Sequence, residues 1–223
     1  MMKTTPQRSN TQKPVVYLVD DEPVVADALA FLLGSRGLAC EHFDSGEAFW
    51  ALVSARPDWA TRPGCVLLDV RMRNMSGIEV FERLVRRNPG LPVPVIFLTG
   101  HGDIPMAVEA LKRGAFDFFE KPFADNRLVD RVEQAIDESR RRIKTEETNA
   151  DLATRLARLS SREREVMRLI LAGKLNKLIA ADLGISMRTV EVHRANVFAK
   201  MAVRNGVDLA RLFEGSGLSP EEA

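Results

Sequence analysis

Five polar side chains stand at the ends of four short apolar runs in this chain: Asp20, Asp21, Asp69, Thr99 and Lys121. The runs are VVYLV, CVLL, VIFL and DFFE, and such short, uniformly apolar stretches are typical of parallel strands covered on both faces. If the strands lie side by side, their carboxyl ends meet at the sheet edge where ligands of open α/β sheets bind. Three carboxylates, a hydroxyl and an ammonium would then converge, which favours a divalent cation and a phosphoryl group.

Alternating strands and helices should hold these residues in place. The pattern predicts strands at Val15–Val19, Ala39–Phe43, Cys65–Leu68, Val95–Leu98 and Asp117–Glu120. It predicts a first helix from about Pro23 to Gly34, a second that begins after Ser45, and a third that begins with a capping box of Ser76 and Glu79. A fourth is predicted at about Pro105–Arg113 with Asp103 as its cap, and a fifth from about Asn126. Five βα units of this kind indicate an α/β fold with a flavodoxin-like, five-stranded parallel sheet.

From Ser160 onward the pattern indicates helices only. Ser160 and Glu163 form a capping box, and Gly173 ends the helix that follows. Further helices are predicted at about Lys177–Leu183, Arg188–Met201 and Val207–Phe213. A short helix, a Gly-containing turn and a longer polar helix make a helix-turn-helix pattern within an all-α, four-helix domain.

The formal net charge of +1 hides an asymmetry along the chain. Residues 1–150 carry 20 Lys or Arg against 22 Asp or Glu, whereas residues 151–223 carry 12 against 9. A mildly basic second part suits a nucleic-acid partner. There is no membrane-spanning apolar run, the N-terminus is polar, and we expect Cys40 and Cys65 to be buried, reduced thiols; together these favour a cytoplasmic protein.

These patterns divide the chain into five segments. We expect a disordered tail at 1–13, an α/β domain at 14–126, its last helix and a helical linker at 127–158, an all-α domain at 159–214, and a second tail at 215–223. The linker is expected to be a solvated rod, because ESRRRIKTEET is crowded with charge.

The stretches VVYLVDDEP, CVLLDVRMRNMSGIEV and VIFLTGHGDIPMAVEALKRGAFDFFEKPF resemble the receiver domain of two-component response regulators. The resemblance implies that Asp69, expected on a loop rather than in a core, accepts a phosphoryl group. It also implies Mg²⁺ bound by Asp21, by Asp69, by Asp20 through water and by the main-chain carbonyl of Arg71. Lys121 and Thr99 would contact phosphoryl oxygens, and Phe118 would be the aromatic that turns inward. The chain departs from the common pattern at Arg73, where many receivers have proline.

The stretch SSREREVMRLILAGKLNKLIAADLGISMRTVEVHRANVFAKM resembles the helix-turn-helix of LuxR-type output domains, and RTVEVHRANVFAKM with TGHGDIPM is close to the FixJ-type branch. The resemblance implies base contacts from Glu191, Val192 and Ala195. It implies phosphate contacts from a second, larger set: Lys177, Arg188, Thr189, His193, Arg194 and Lys200. Glu191 replaces a common lysine, and a carboxylate accepts from a cytosine amino group, so the preferred DNA sequence would differ.

Most of these residues also have an ordinary structural interpretation. Asp20 and Asp21 would cap a helix, and Thr99 or Lys121 would belong to turns. This interpretation requires suitable polar residues to stand at four strand ends by coincidence, which argues against it. Phe118 would equally fill the interface between sheet and helix, and His193 would equally be a packed helix residue.

Together the two resemblances imply a response regulator transcription factor. A sensor histidine kinase would phosphorylate Asp69, and the phosphorylated chain would form a homodimer, bind promoter DNA and act on RNA polymerase. The chain would not be an enzyme beyond its own phosphoryl transfer and aspartyl-phosphate hydrolysis. An alternative is an aspartate-nucleophile phosphohydrolase, which usually has a second Asp two residues after the nucleophile, where this chain has Arg71. A phosphorylation-independent DNA-binding regulator is another.

Overall fold

The computed structural model describes residues 13–100, 104–214 and 216. Its first part contains one sheet of five parallel strands in the order β2-β1-β3-β4-β5, which is flavodoxin-like, as predicted. The strands are β1 Val15–Val19, β2 Ala39–Phe43, β3 Gly64–Asp69, β4 Val95–Thr99 and β5 Asp117–Glu120. Every residue of β1, β3 and β4 is buried, which explains their unbroken apolar sequences.

Helices connect the strands and form the second part of the chain. Those around the sheet are α1 Pro23–Ser35, α2 Gly46–Ala55, α3 Gly77–Arg87, α4 Ile104–Lys112 and the first part of α5 Asp125–Ala157. The others are α6 Ser161–Leu171, α7 Asn176–Leu183, α8 Met187–Met201 and α9 Gly206–Phe213. The predicted cap of α4, Asp103, lies outside the described residues.

Two apolar cores cover the faces of the sheet. One contains Tyr17, Phe49, Trp59 and Phe97 and packs beneath α2, α3 and α4. The other joins β1, β3 and β4 to α1 and α5, where Leu128, Val132 and Ile136 are buried. With both faces covered, only the sheet edge is left for polar side chains, and this places the chemistry at the carboxyl ends of the strands.

The two predicted capping boxes have different outcomes. At α6, the hydroxyl of Ser160 accepts from the main-chain N–H of Glu163, and the Glu163 carboxylate accepts from that of Ser160, so the box is complete. At α3, Ser76 accepts from the N–H of Glu79, but the return bond of the box is not made. The prediction was half wrong there because the Glu79 carboxylate binds Arg83 at 2.7 Å instead.

The described residues divide into two compact units, one up to Ile143 and the other from Lys144 onward, and α5 contributes to both. In the second unit Leu152 and Leu156 are buried in the same core as Val190, Val197 and Met201. The end of α5 is therefore not a fully solvated rod, because these two leucines face the helical core.

The second unit contains the predicted helix-turn-helix. Gly184 ends α7 with φ +63°, a left-handed conformation that glycine adopts without strain, and Ser186 caps α8 by accepting from the N–H of Thr189. In the part of the chain that the structure describes, no helix is both long and apolar enough to cross a membrane.

Candidate functional site

The acidic residues of the candidate site come together because β1 and β3 are neighbours in the sheet. Val19 pairs with Leu68 in the parallel register, so the carboxylates of Asp20 and Asp69 follow at the same level. Asp69 is the last residue of β3 and is 5% exposed, and Asp20 is fully buried. The expectation that Asp69 lies on a loop outside the core is therefore wrong: β3 continues through this residue, which is in register with Leu98 of β4.

The Lys121 ammonium lies between these two buried carboxylates. Its Nζ donates to Oδ1 of Asp69 at 2.6 Å and to Oδ2 of Asp20 at 2.9 Å, and it lies 3.7 Å from Oε1 of Glu22. Lys121 follows β5, the edge strand two places from β3, so its side chain reaches across the C-terminal edge of the sheet. Three of the five predicted side chains therefore meet within hydrogen-bonding distance.

The electrostatics of this group are unbalanced, since one ammonium faces two carboxylates. Burial raises the pKa of Asp69 above its usual range, and the neighbouring Asp20 charge adds to this, despite opposing hydrogen bonds from Lys121 and the N–H of Arg71. Burial alone would lower the pKa of Lys121, but its hydrogen bonds to Asp69 and Asp20 outweigh it and raise that pKa. An excess of negative charge thus remains at the sheet edge.

Asp21 completes the acidic trio but is held from another direction. Its Oδ2 accepts from the main-chain N–H of Arg73 at 3.2 Å and lies 3.8 Å from the exposed Arg73 guanidinium. A proline at position 73 could not donate this bond. The departure from the common receiver pattern therefore attaches the loop after β3 to Asp21, a contact that the sequence reading missed.

The three carboxylates are also the candidate ligands for a metal ion. In residues 13–100 and 104–214, no group of three or more His, Cys, Asp or Glu side chains is arranged to hold a metal ion. The donor chemistry nevertheless fits a hard divalent cation, because the three carboxylates are oxygen ligands with insufficient compensating charge. The position between Asp20 and Asp69 is taken by the Lys121 ammonium.

Of the remaining predicted residues, Arg71 bonds to this group, whereas Thr99 and Phe118 have other contacts. The Thr99 hydroxyl is buried and donates to the carbonyl of Phe119 at 3.4 Å, which is long for such a bond. Phe118 is half-buried and packs against the core beneath α4. The N–H of Arg71 donates to Oδ2 of Asp69 at 2.8 Å.

Two further residues shape the site, and the sequence reading did not single them out. The N–H of Glu22 donates to Oδ1 of Asp20 at 2.9 Å, so it orients the buried carboxylate. Gly77 begins α3 against the main chain of Asp69, where a Cβ atom would lie 2.1 Å from the Asp69 carbonyl oxygen. Only glycine permits this approach, and the NMSG stretch was a sequence signal for a tight turn there.

A second candidate site is the outer face of α8. Val190, Val197 and Met201 point into the helical core. At 100° per residue, the opposite face presents another set of side chains, all of them exposed: Arg188, Glu191, Val192, Ala195, Asn196 and Ala199. This face includes the three residues predicted to contact bases.

The six residues predicted to contact phosphates are not equally free. Lys177 and Arg188 are exposed. Thr189 shares a 2.8 Å hydrogen bond with the Ser186 hydroxyl, and the Arg194 guanidinium lies 5.3 Å from the centre of the Phe198 ring.

Two more members of that set are engaged inside the unit. The His193 ring is half-buried, and its Nδ1 atom has no hydrogen-bond partner in the described part of the chain. Lys200 Nζ lies 2.5 Å from Oε2 of the buried Glu163, so the structure directs Lys200 away from the exposed face of α8.

Comparisons with known proteins identify a family for each part of the chain. Residues 16–133 match the response regulator receiver domain family, and residues 157–213 match the luxR family of bacterial regulatory proteins. The C4-dicarboxylate transport transcriptional regulatory protein DctR of Rhodobacter capsulatus is 50% identical over 88% of this chain and 98% of its own length. The transcriptional regulatory protein FixJ of Bradyrhizobium diazoefficiens is 44% identical over 93% and 98%, respectively.

The fold is also found in solved structures. The structure of the response regulator StyR is 40% identical in sequence and superposes with a TM-score of 0.76. The match covers 91% of this chain and 98% of that one. A five-stranded receiver sheet and a LuxR-type helix-turn-helix are thus present in one chain. The chain belongs to the two-component response regulators that join a receiver domain to a LuxR-type DNA-binding domain.

Proposed function

We propose that Asp69 accepts a phosphoryl group from a sensor histidine kinase and that this event controls dimerisation and promoter DNA binding. The observation that carries the proposal is the Lys121 ammonium between two buried carboxylates, 2.6 Å from Asp69 and 2.9 Å from Asp20. An ion pair that served stability alone would balance its charges, whereas this one leaves negative charge that a divalent cation would offset before a phosphoryl group is added.

The reaction begins at the carboxylate oxygen of Asp69. This oxygen attacks phosphorus in line, the phosphorus–nitrogen bond of the donor phosphohistidine breaks, and the imidazole nitrogen leaves with the electron pair. Lys121 can then transfer a hydrogen bond from the carboxylate to a phosphoryl oxygen. The weakly bonded Thr99 hydroxyl would turn toward a second oxygen, and Phe118, on the adjacent strand, would follow it inward.

Mg²⁺ would be held by Asp20, Asp21, Asp69 and the main-chain carbonyl of Arg71. When bound, it supplies positive charge for the phosphoryl oxygens. Lys121 would have to leave the position between Asp20 and Asp69 to make room, and this frees its ammonium for the phosphoryl group.

The size of the switch is consistent with these contacts. To reverse an equilibrium that strongly favours one of two states, a ligand must bind the other state more tightly by about 5.5 kcal/mol. Two charge-assisted hydrogen bonds, from Thr99 and Lys121, would supply roughly 3–6 kcal/mol. The phosphoryl group is therefore close to sufficient, and dimerisation would supply the remainder.

The C-terminal unit would bind DNA through α8. Glu191, Val192 and Ala195 would contact base edges, and the phosphate contacts would come from some or all of the predicted set: Lys177, Arg188, Thr189, His193, Arg194 and Lys200. A single module of this kind buries only about 600–1,000 Å² on DNA, so a dimer on an inverted repeat is expected. Val207 on α9, 63% exposed, supports a contact between two copies there.

The partners of this chain would be a sensor kinase, promoter DNA, RNA polymerase and a second copy of itself, all in the cytoplasm. Its only catalysis would be its own phosphorylation and the hydrolysis of its aspartyl phosphate. The phosphohydrolase alternative lacks its acid, since Arg71 stands two residues after Asp69.

The test is phosphorylation of the full chain by acetyl phosphate with and without Mg²⁺. Wild type and the exposed-carboxylate control Asp27→Asn should both acquire one phosphoryl group only when Mg²⁺ is present, whereas Asp69→Asn should acquire none. Intact-mass spectrometry measures the modification, and fluorescence anisotropy with promoter duplexes measures the change in DNA affinity. Labelling of Asp69→Asn at an unchanged level would refute the assignment of the acceptor.

A further inference from the structure

Two cationic side chains, one on α8 and one on α5, make contacts at the C-terminal end of α8. One is Lys200, on the last turn of α8 itself, which reaches Glu163 of α6. The other is Arg155, on the last turns of α5, which reaches the carbonyl of Met201. We name this pair of contacts the α8 clamp.

The first contact joins a cation to a carboxylate that is already fixed. Oε2 of Glu163 accepts from Lys200 at 2.5 Å and from the N–H of Ser160 at 2.7 Å, and the Glu163 side chain is only 5% exposed. Burial raises the pKa of Glu163, but hydrogen bonds from Lys200 and Ser160 outweigh this and lower it below its usual range. If Lys200 moved to a DNA phosphate, it would leave this carboxylate buried without a counter-charge.

The second contact caps the helix. Met201 is the last residue of α8, and carbonyls at a helix C-terminus lack helical partners and carry partial negative charge. Nη1 of Arg155 donates to the Met201 carbonyl at 2.7 Å, while Nη2 lies 2.7 Å from Asp151 on the preceding turn. Leu152 and Leu156 flank Arg155 and are buried in the same core as Met201, so the guanidinium is held from its own helix.

We propose that Arg155 and Lys200 are positioning residues that set the orientation of α8 in the major groove and do not contact DNA phosphates. This rests on the proposed DNA-binding function, and it reassigns Lys200 from the phosphate-contacting set. The exposed face of α8 starts at Arg188 and runs to Ala199, so fixing the last turn determines how that whole face meets the base edges. Arg155 lies outside the span that matches the luxR family, residues 157–213.

Salt dependence separates a positioning residue from a phosphate contact. Each phosphate contact that is lost reduces the slope of log K against log salt by about 0.9, whereas lost positioning lowers affinity at every salt concentration. The experiment uses the full phosphorylated chain and a duplex enriched by the wild type from a random pool. Anisotropy titrations over a series of KCl concentrations give the affinity and the slope.

We expect Lys200→Gln and Arg155→Gln to weaken DNA binding roughly tenfold and to leave the salt slope unchanged. A tenfold loss is the size expected when a single base contact is misplaced. Lys200→Arg and Arg155→Lys should restore most of the affinity. The exposed Lys177→Gln serves as the phosphate control and should lower the slope. A lower slope for Lys200→Gln, or wild-type affinity for both glutamine variants, would overturn the proposal.

Loss of folding is excluded by two further measurements. The double variant Glu163→Gln/Lys200→Gln leaves no buried charge at this contact, and it should still bind weakly while showing a wild-type circular dichroism spectrum. Hydrogen exchange without DNA should accelerate in the last turn of α8 in Arg155→Gln and Lys200→Gln, and unchanged exchange there would contradict the clamp. If the wild type enriches no duplex, the DNA-binding function fails, while the exchange result still decides on the clamp.

Discussion

Each unit of this response regulator contains a buried carboxylate that forms an ion pair with a lysine, and folding shifts the pKa values of the two carboxyls in opposite directions. The pKa of Asp69 in the receiver is raised, whereas that of Glu163 in the DNA-binding unit is lowered. Both side chains are almost completely buried, at 7% and 5% exposure, so burial alone does not explain the difference. Burial raises the pKa of both carboxyls; at Glu163 the hydrogen bonds from Lys200 and Ser160 outweigh it, whereas at Asp69 the charge of Asp20 adds to it.

Glu163 has one lysine of its own and a main-chain N–H on the same oxygen, so its ionised form is well compensated. Asp69 shares Lys121 with Asp20, which is fully buried, and Asp21 lies nearby on the same sheet edge. A balanced pair stabilises one arrangement, whereas an unbalanced cluster retains charge for a ligand to neutralise. We interpret the first as architecture and the second as a switch.

The largest expected effect comes from removing the cation of the unbalanced cluster. Lys121→Met leaves Asp20 and Asp69 buried without a counter-charge, and should lower the free energy of unfolding of the receiver by about 3–5 kcal/mol. Urea unfolding followed by tryptophan fluorescence reports on this unit, since both tryptophans, Trp50 and Trp59, lie in it.

Two additions make that measurement specific. Mg²⁺ should recover part of the stability in Lys121→Met, because a divalent cation supplies the missing charge, and chelation should remove this gain. Lys112→Met, which removes an exposed lysine from α4, should stay within about 0.5 kcal/mol of wild type. Equal losses in both variants would show that the cluster is not unbalanced in the way described.

The balanced pair should give a smaller loss. Glu163→Gln removes the carboxylate but leaves Lys200, whose side chain is 37% exposed and can be hydrated, so screening reduces the effect to about 1–2 kcal/mol. Because the pKa of Glu163 is lowered on folding, its contribution is present above the unfolded pKa of glutamate. That contribution disappears as the pH falls through the folded value.

The difference between wild type and Glu163→Gln should therefore shrink in acid. Urea unfolding followed by far-ultraviolet circular dichroism measures it, since the second unit contains neither tryptophan nor tyrosine. Glu165→Gln is the matched control: this more exposed carboxylate pairs with Arg162 three residues earlier on α6. A pH-independent difference would contradict the direction assigned to Glu163.

The sequence predicts the strand ends well and the charge balance poorly, and both results have physical reasons. Buried parallel strands are uniformly apolar, so Asp20, Asp69 and Lys121 mark where their strands end, and strand neighbours bring them together. The depth of Asp69 was not predictable from the same pattern. Burial of Asp69 depends on α3 starting against its main chain at Gly77, which is a tertiary contact.

Residue roles in the DNA-binding unit show the same limit. Once the core residues of α8 are known, periodicity gives the residues on its exposed face, because each residue is turned 100° from the one before. It cannot show that Lys200 reaches Glu163, which lies 37 residues earlier on another helix. Likewise, the sequence predicted a full capping box at Ser76, but Arg83 competes for the Glu79 carboxylate.

The smallest expected effect runs in the opposite direction, as a gain in stability. Asp69→Asn removes one of the two carboxylates that share Lys121, and leaves a one-to-one pair with Asp20 like that in the second unit. Because folding raises the pKa of Asp69, its ionised form destabilises the receiver, and this penalty grows as the pH rises from the unfolded pKa through the folded one. We expect the variant to be more stable than wild type at neutral pH by on the order of 1 kcal/mol, or a few degrees in Tm.

The gain should vanish in acid, where the native carboxyl is already protonated. The Glu163→Gln difference also shrinks in acid, but it has the opposite sign, because that variant is less stable than wild type. Thermal unfolding by tryptophan fluorescence in chelator, over a series of pH values, measures both sign and slope. The exposed Asp27→Asn should follow wild type throughout. A loss of stability in Asp69→Asn at neutral pH would mean that Lys121 compensates both carboxylates, and the contrast between the two units would then not exist.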